Sequence, residues 1–153
     1  MKRGINWKAL IICLAVVYLV AFVGSIFTTS SVNSEWYNST KPSITPPGWV
    51  FPIAWNILFF LIAISLYISW NKGKNKKIVA WIYGVNLVLN GLWSYLFFGL
   101  KNPLAGFLDI ILIWFSILVM IFYSWKIDKK AAWLLVPYLL WVSFASILNY
   151  LAI

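Results

Sequence analysis

Residues 49–70 read WVFPIAWNILFFLIAISLYISW, a run without a charged side chain. At a rise of about 1.5 Å per residue, a helix of roughly 20 residues crosses a hydrocarbon core of about 30 Å. The run is therefore long enough to span a bilayer. Its apolar residues are continuous and do not alternate in segments of about ten, which selects a helix over a barrel strand. Lipid offers no partner for backbone N–H and C=O groups, and a helix satisfies them within the segment.

Four further runs have the same character, near 8–27, 78–98, 104–125 and 131–151. The chain reads as an all-α integral membrane protein, with five transmembrane helices in one bundle and a single domain over 1–153. Composition agrees: 63% of residues are hydrophobic and 10% charged, against about 45–50% apolar and about 25% charged in soluble domains. A core of this length cannot hide so much apolar surface from water, so most of it must face lipid. The first run follows Lys2, Arg3 and Lys8 as a signal peptide would. Its apolar part is too long for an h-region and no small-x-small cleavage pattern closes it, so a retained span is expected.

The net charge is +9, from 12 basic and 3 acidic residues. Ten of the basic residues fall in the N-terminal segment and the loops near 72–77 and 126–130; only Lys41 and Lys101 fall on the other side. That asymmetry predicts a cytoplasmic N-terminus in a bacterial-type cell membrane, with the C-terminus and loop 28–48 outside. Clusters placed as topology anchors exclude a nucleic-acid partner. Histidine is absent and Cys13 is the lone cysteine, so no metal site and no resident cofactor are expected.

Loop 28–48 is rich in Ser, Thr, Asn and Pro and carries Trp36, Tyr37 and Lys41, which suits a structured cap more than a tether. Pro46, Pro47 and Pro103 suit the start of a helix, where a missing N–H is harmless. Pro137 lies about one and a half turns into the fifth run and is expected to free the carbonyl of Trp133 and bend that helix.

In the third span Asn86, Asn90, Trp93 and Ser94 recur at three- and four-residue spacing and share one face. Amides facing lipid would go unpaired, so this face should turn inward, either joining helices or walling a pocket. Asp109 is the only carboxylate inside a span and is expected to pair with an amide, a hydroxyl or an indole N–H. Trp7, Trp70, Trp81, Trp125 and Trp133 sit near span ends, as interfacial rings do. Trp93 and Trp141 lie deeper, and Trp49, Trp55 and Phe59 begin the second span beneath the loop. Trp141, Ala145 and Asn149 share a face, with Ser146 beside it, and the small Ala145 leaves room next to the indole. Ala21 with Ser25, and Ala80 with Gly84, are small-xxx-small pairs suited to close packing or a dimer seam. A cavity walled by indoles and offering a few amide bonds suits a flat, largely apolar ligand.

Three segments together, WYNSTKPSITPPGWVFPIAWNILFFLIAISLY (36–67), LNGLWSYLFF (89–98) and PYLLWVSFASILNY (137–150), resemble the TspO/MBR family, the tryptophan-rich sensory proteins that include the mitochondrial translocator protein. The family's motif positions fall on Pro46, Pro47, Trp49 and Trp55, on Leu89, Asn90 and Trp93, and on Pro137, Tyr138, Trp141, Phe144, Ala145, Leu148 and Asn149. The resemblance implies a pocket beneath loop 28–48. It implies as partners a porphyrin such as protoporphyrin IX or a synthetic translocator-protein ligand, the lipid bilayer, and a second copy of the chain. The family's sterol pattern needs a Tyr closely followed by Lys or Arg; Tyr150 is followed only by Leu151, Ala152 and Ile153.

The candidate ligand-binding residues are Tyr37, Trp49, Trp55, Phe59, Asn86, Asn90, Trp93, Asp109, Trp141, Ala145 and Ser146. The leading reading is a membrane receptor, sensor or carrier for a porphyrin-like or other flat apolar ligand. One alternative is a light- and oxygen-dependent porphyrin-degrading enzyme, in which Trp55 and Trp141 would be the catalytic candidates; no general base, nucleophile or metal centre is otherwise visible. The other is a structural or regulatory membrane subunit.

Overall fold

A computed structural model describes residues 4–153 and contains helices only: α1 (Trp7–Ser31), α2 (Glu35–Thr40), α3 (Val50–Lys72), α4 (Lys76–Ser94), α5 (Pro103–Ile127), α6 (Lys129–Trp133) and α7 (Val136–Tyr150), with a π-helical turn at Tyr95–Gly99 continuing α4. Five segments are long and apolar enough to cross a membrane, the last being α6 and α7 together. Lys2 and Arg3, part of the charge asymmetry, lie outside the described residues.

Short polar side chains fix where the helices begin. Asn6, Asn75 and Asn102 each accept from the backbone N–H three residues on, at 3.1, 3.2 and 3.0 Å, capping α1, α4 and α5. Ser34 caps α2 through Tyr37 N–H at 3.2 Å, so the loop over 28–48 holds a helical turn of its own. Pro103 occupies the first turn of α5, as expected.

α1 continues four residues beyond the expected end at 27, and its polar tail explains how. The hydroxyls of Ser25, Thr28, Thr29 and Ser30 donate to carbonyls three or four residues back, satisfying themselves against the helix. The expectation for Pro137 is corrected: the helix does not bend at the ring but stops before it. α6 ends at Trp133, Leu134 and Leu135 form a turn, and Pro137 lies in the first turn of α7. Placing the break upstream removes the clash between ring and carbonyl that an interior proline would create.

The helices are joined by apolar packing and by three polar clusters. At one end Tyr83 Oη lies 2.6 Å from Ser65 Oγ, 2.9 Å from Ser124 Oγ and 3.2 Å from Ser69 Oγ. Ser65 also donates to the Ala131 carbonyl at 2.8 Å, tying α3, α4, α5 and α6 together. Midway, Tyr138 of α7 donates to Asn86 Oδ1 at 3.2 Å and accepts from Asn90 Nδ2 at 3.0 Å, while Asn86 Nδ2 reaches Ser116 Oγ at 2.8 Å. Towards the other end, Trp93 Nε1 donates to Asn149 Oδ1 at 2.9 Å and Asn149 Nδ2 donates to the Pro103 carbonyl at 2.8 Å. The polar face of α4 thus turns inward and joins helices.

The π turn changes which residues face the interior. Leu100 N–H reaches back to the Tyr95 carbonyl at 2.8 Å, a wider ring than an α-helix closes. Consecutive Phe97 and Phe98 are both buried in this turn, each 5% exposed. Lys101 then takes a left-handed conformation, φ 50°, turning the chain sharply into α5. Close approach is possible where side chains are missing: a Cβ on Gly106 of α5 would sit 3.0 Å from the Phe97 ring.

Candidate functional site

An open cavity of about 670 Å³ lies at the Asn149 end of the bundle, between α1, α3, α4, α5 and α7, beneath the segment that follows α2. Its size is that of a site for a drug-sized or larger flat molecule. Aromatic rings enter from several elements at once. Phe51, Trp55 and Phe59 come from successive turns of α3, Trp93, Phe97 and Phe98 from α4 and its π turn, and Trp141 from α7.

These rings hold one another in place. Trp55 stacks on Phe59 with centroids 5.4 Å apart and planes 29° apart, and Trp93 stacks on Phe97 at 5.2 Å and 15°. Phe51 meets Trp141 edge to face at 5.9 Å. Such pairs contribute about 0.5–1.5 kcal/mol each beyond the area they bury. The loop is tied to the same wall, for Trp36 packs on Phe97 at 5.6 Å and Tyr37 on Phe98 at 5.4 Å. Burial pushes the Tyr37 phenol above its ordinary value, so at neutral pH it is an uncharged ring with a polar tip.

Of the residues singled out from the sequence, Tyr37, Trp55, Phe59, Asn90, Trp93, Trp141 and Ala145 line this cavity. Trp49 does not; it is 67% exposed at the start of α3. Asn86 is fully buried and engaged with Ser116 and Tyr138. Ser146 donates to the Val142 carbonyl of its own helix at 2.7 Å. Asp109 lies on the buried stripe of α5 next to the cavity-lining Ile110.

The expected partner for Asp109 is not found. Neither carboxylate oxygen has a hydrogen-bond partner, although the residue is 3% exposed. The α4 donors bond elsewhere, Asn86 Nδ2 to Ser116, Asn90 Nδ2 to Tyr138 and the Trp93 indole to Asn149. Trp141 Nε1 is likewise covered without an acceptor. Tyr150 is 62% exposed.

Phe51, Phe97 and Phe98, which are not among the residues singled out from the sequence, also line the cavity. Phe51 could have been found from its four-residue spacing to Trp55 and Phe59, which puts all three on one stripe. Phe97 and Phe98 fall where the π turn shifts the helical register, which apolar periodicity does not reveal. Among the described residues no group of His, Cys, Asp and Glu could hold a metal ion.

The TspO/MBR family profile matches residues 11–152. A tryptophan-rich protein TspO from Archaeoglobus fulgidus is 44% identical over 95% of this chain and 95% of its own length. One from Chlorobaculum tepidum is 42% identical over 92% and 91%. Human translocator protein is 32% identical over 86% of this chain and 80% of its own length. Five apolar spans, the aromatic-rich segments at 36–67 and 137–150, and similarity along almost the whole sequence agree on one conclusion: the chain is a multi-pass membrane protein and belongs to the TspO/MBR family.

Proposed function

We propose that this protein is a membrane receptor, sensor or carrier that binds a porphyrin-like or other flat apolar ligand in the cavity beneath the loop. The observation that carries the reading is the aromatic enclosure itself. Rings from α3, α4 and α7 surround about 670 Å³, and stacked indoles favour a planar, weakly polar guest. Trp55, Trp93 and Trp141 are the walls, Ala145 leaves space for the ligand edge, and Asn90 offers an amide. The names of the relatives, a tryptophan-rich sensory protein from Cereibacter sphaeroides and a translocator protein from human, fit signalling or movement of a ligand.

In this reading the chain is one domain in a bacterial-type cell membrane. The described Lys clusters, Lys72 to Lys77 and Lys126 to Lys130, mark the cytoplasmic side, and the loop with its cavity faces outward. A homodimer belongs to the same proposal; Gly84 on α4 has open space beside it, as a close helix contact requires.

Titrating the detergent-purified protein with protoporphyrin IX tests the reading. Tryptophan fluorescence should be quenched saturably, and Trp141→Leu and Ala145→Phe should each weaken the response, the first by removing a wall and the second by filling the space. Titrations identical in all three proteins would defeat the assignment.

A further inference from the structure

Among the described residues that line the cavity, Lys41 alone carries a charge. It belongs to the segment after α2, at the mouth. Its ammonium is positioned by neighbours, with Asn38 Oδ1 2.9 Å from Nζ and the Tyr37 ring centre 5.7 Å away. Neither neighbour neutralises it. The ion pair found among the described residues joins Lys72 to Asp128, and no carboxylate lines the cavity. Asp109 is buried behind the wall, and Glu35 lies on the exposed side of α2.

A cavity with apolar walls and a single held cation at its rim has a definite chemical complement. The matching guest is amphipathic: a flat apolar body for the rings and an acidic group at one edge for the ammonium. A neutral sterol-like molecule would fill the walls and leave the cation unanswered. We infer that Lys41 is a specificity-determining residue that pairs with a carboxylate of the ligand, so the site selects planar acids over neutral molecules of the same shape. The inference rests on the proposed pocket. Asn38 and Tyr37 hold the ammonium near the rim, which reduces the side-chain ordering that a long lysine loses on pairing.

The experiment compares protoporphyrin IX, which carries two propionic acids, with its dimethyl ester, which has the same ring and no charge. Both are titrated against the full chain, Lys41→Gln and Lys41→Arg, with quenching as the readout and thermal unfolding as a check that each variant is folded. Lys41→Gln should weaken the diacid by about fivefold, as expected for a solvent-accessible ion pair, and leave the diester within about twofold. Lys41→Arg should keep diacid binding, because the charge is preserved. Equal change for both ligands in Lys41→Gln, or no change for either, would overturn the role of Lys41 while leaving the pocket intact. Failure of both ligands to quench the unmodified chain would overturn the pocket and this inference with it.

Discussion

Asn149 accepts the indole N–H of Trp93 at 2.9 Å while its own amide donates to the Pro103 carbonyl at 2.8 Å, so one side chain of α7 fixes an aromatic wall on α4 and the first turn of α5. Removing it strands a part-buried indole donor and a carbonyl together. Asn149→Leu should therefore destabilise the protein by about 1–3 kcal/mol and loosen Trp93. Thermal unfolding and Trp93-dependent quenching should fall together; a change in neither would show that the bond contributes nothing.

Tyr83 is the counter-example, a hub away from the cavity. Its hydroxyl touches Ser65, Ser69 and Ser124, but each serine keeps another partner, so Tyr83→Phe should cost about 0.5–1.5 kcal/mol. Ligand affinity should be unchanged. Loss of binding in a variant that still folds would mean the two ends of the bundle are coupled.

Among the described residues the ion pair of Lys72 with Asp128 contributes to the acid side of the stability profile. Lys72 holds the Asp128 carboxyl below the usual carboxylate range, with the Lys130 N–H assisting. A depressed value in the folded state gives stability that is present above the ordinary carboxylate value of about 4 and is lost as pH falls below it. Unfolding temperature should decline below about pH 4. Lys72→Ala should reduce that acid-side decline; an unchanged profile would remove the pair from the account.

Asp109 yields the opposite expectation from most buried polar groups. With no partner to lose, Asp109→Leu removes a desolvated carboxyl without orphaning anything, so folded yield and unfolding temperature should hold or rise. A fall of more than about 2 kcal/mol would reveal an interaction of the kind that makes removing a buried partner costly.

Much of this architecture was legible because lipid is a strict solvent: a spanning segment must be apolar throughout, and five such runs announce themselves. The ends were less legible. Thr28 to Ser30 look like loop residues, yet their hydroxyls bond to the preceding turn, and polarity alone does not reveal that. Leu134 and Leu135 carry no turn signal, so the halt before Pro137 was hidden in an apolar run. In the site, Trp55 with Phe59 and Trp141 with Ala145 follow from four-residue spacing. The lack of a partner for Asp109 does not, because it depends on side-chain geometry between helices that are far apart in sequence.

The π turn at Tyr95–Gly99 has a consequence for how such a chamber could diversify. Deleting one residue there would restore ordinary winding, rotate the residues that follow relative to the bundle, and reshape the floor of the cavity without exchanging any ring. Backbone length, counted in single residues, is therefore a tuning variable here alongside side-chain identity.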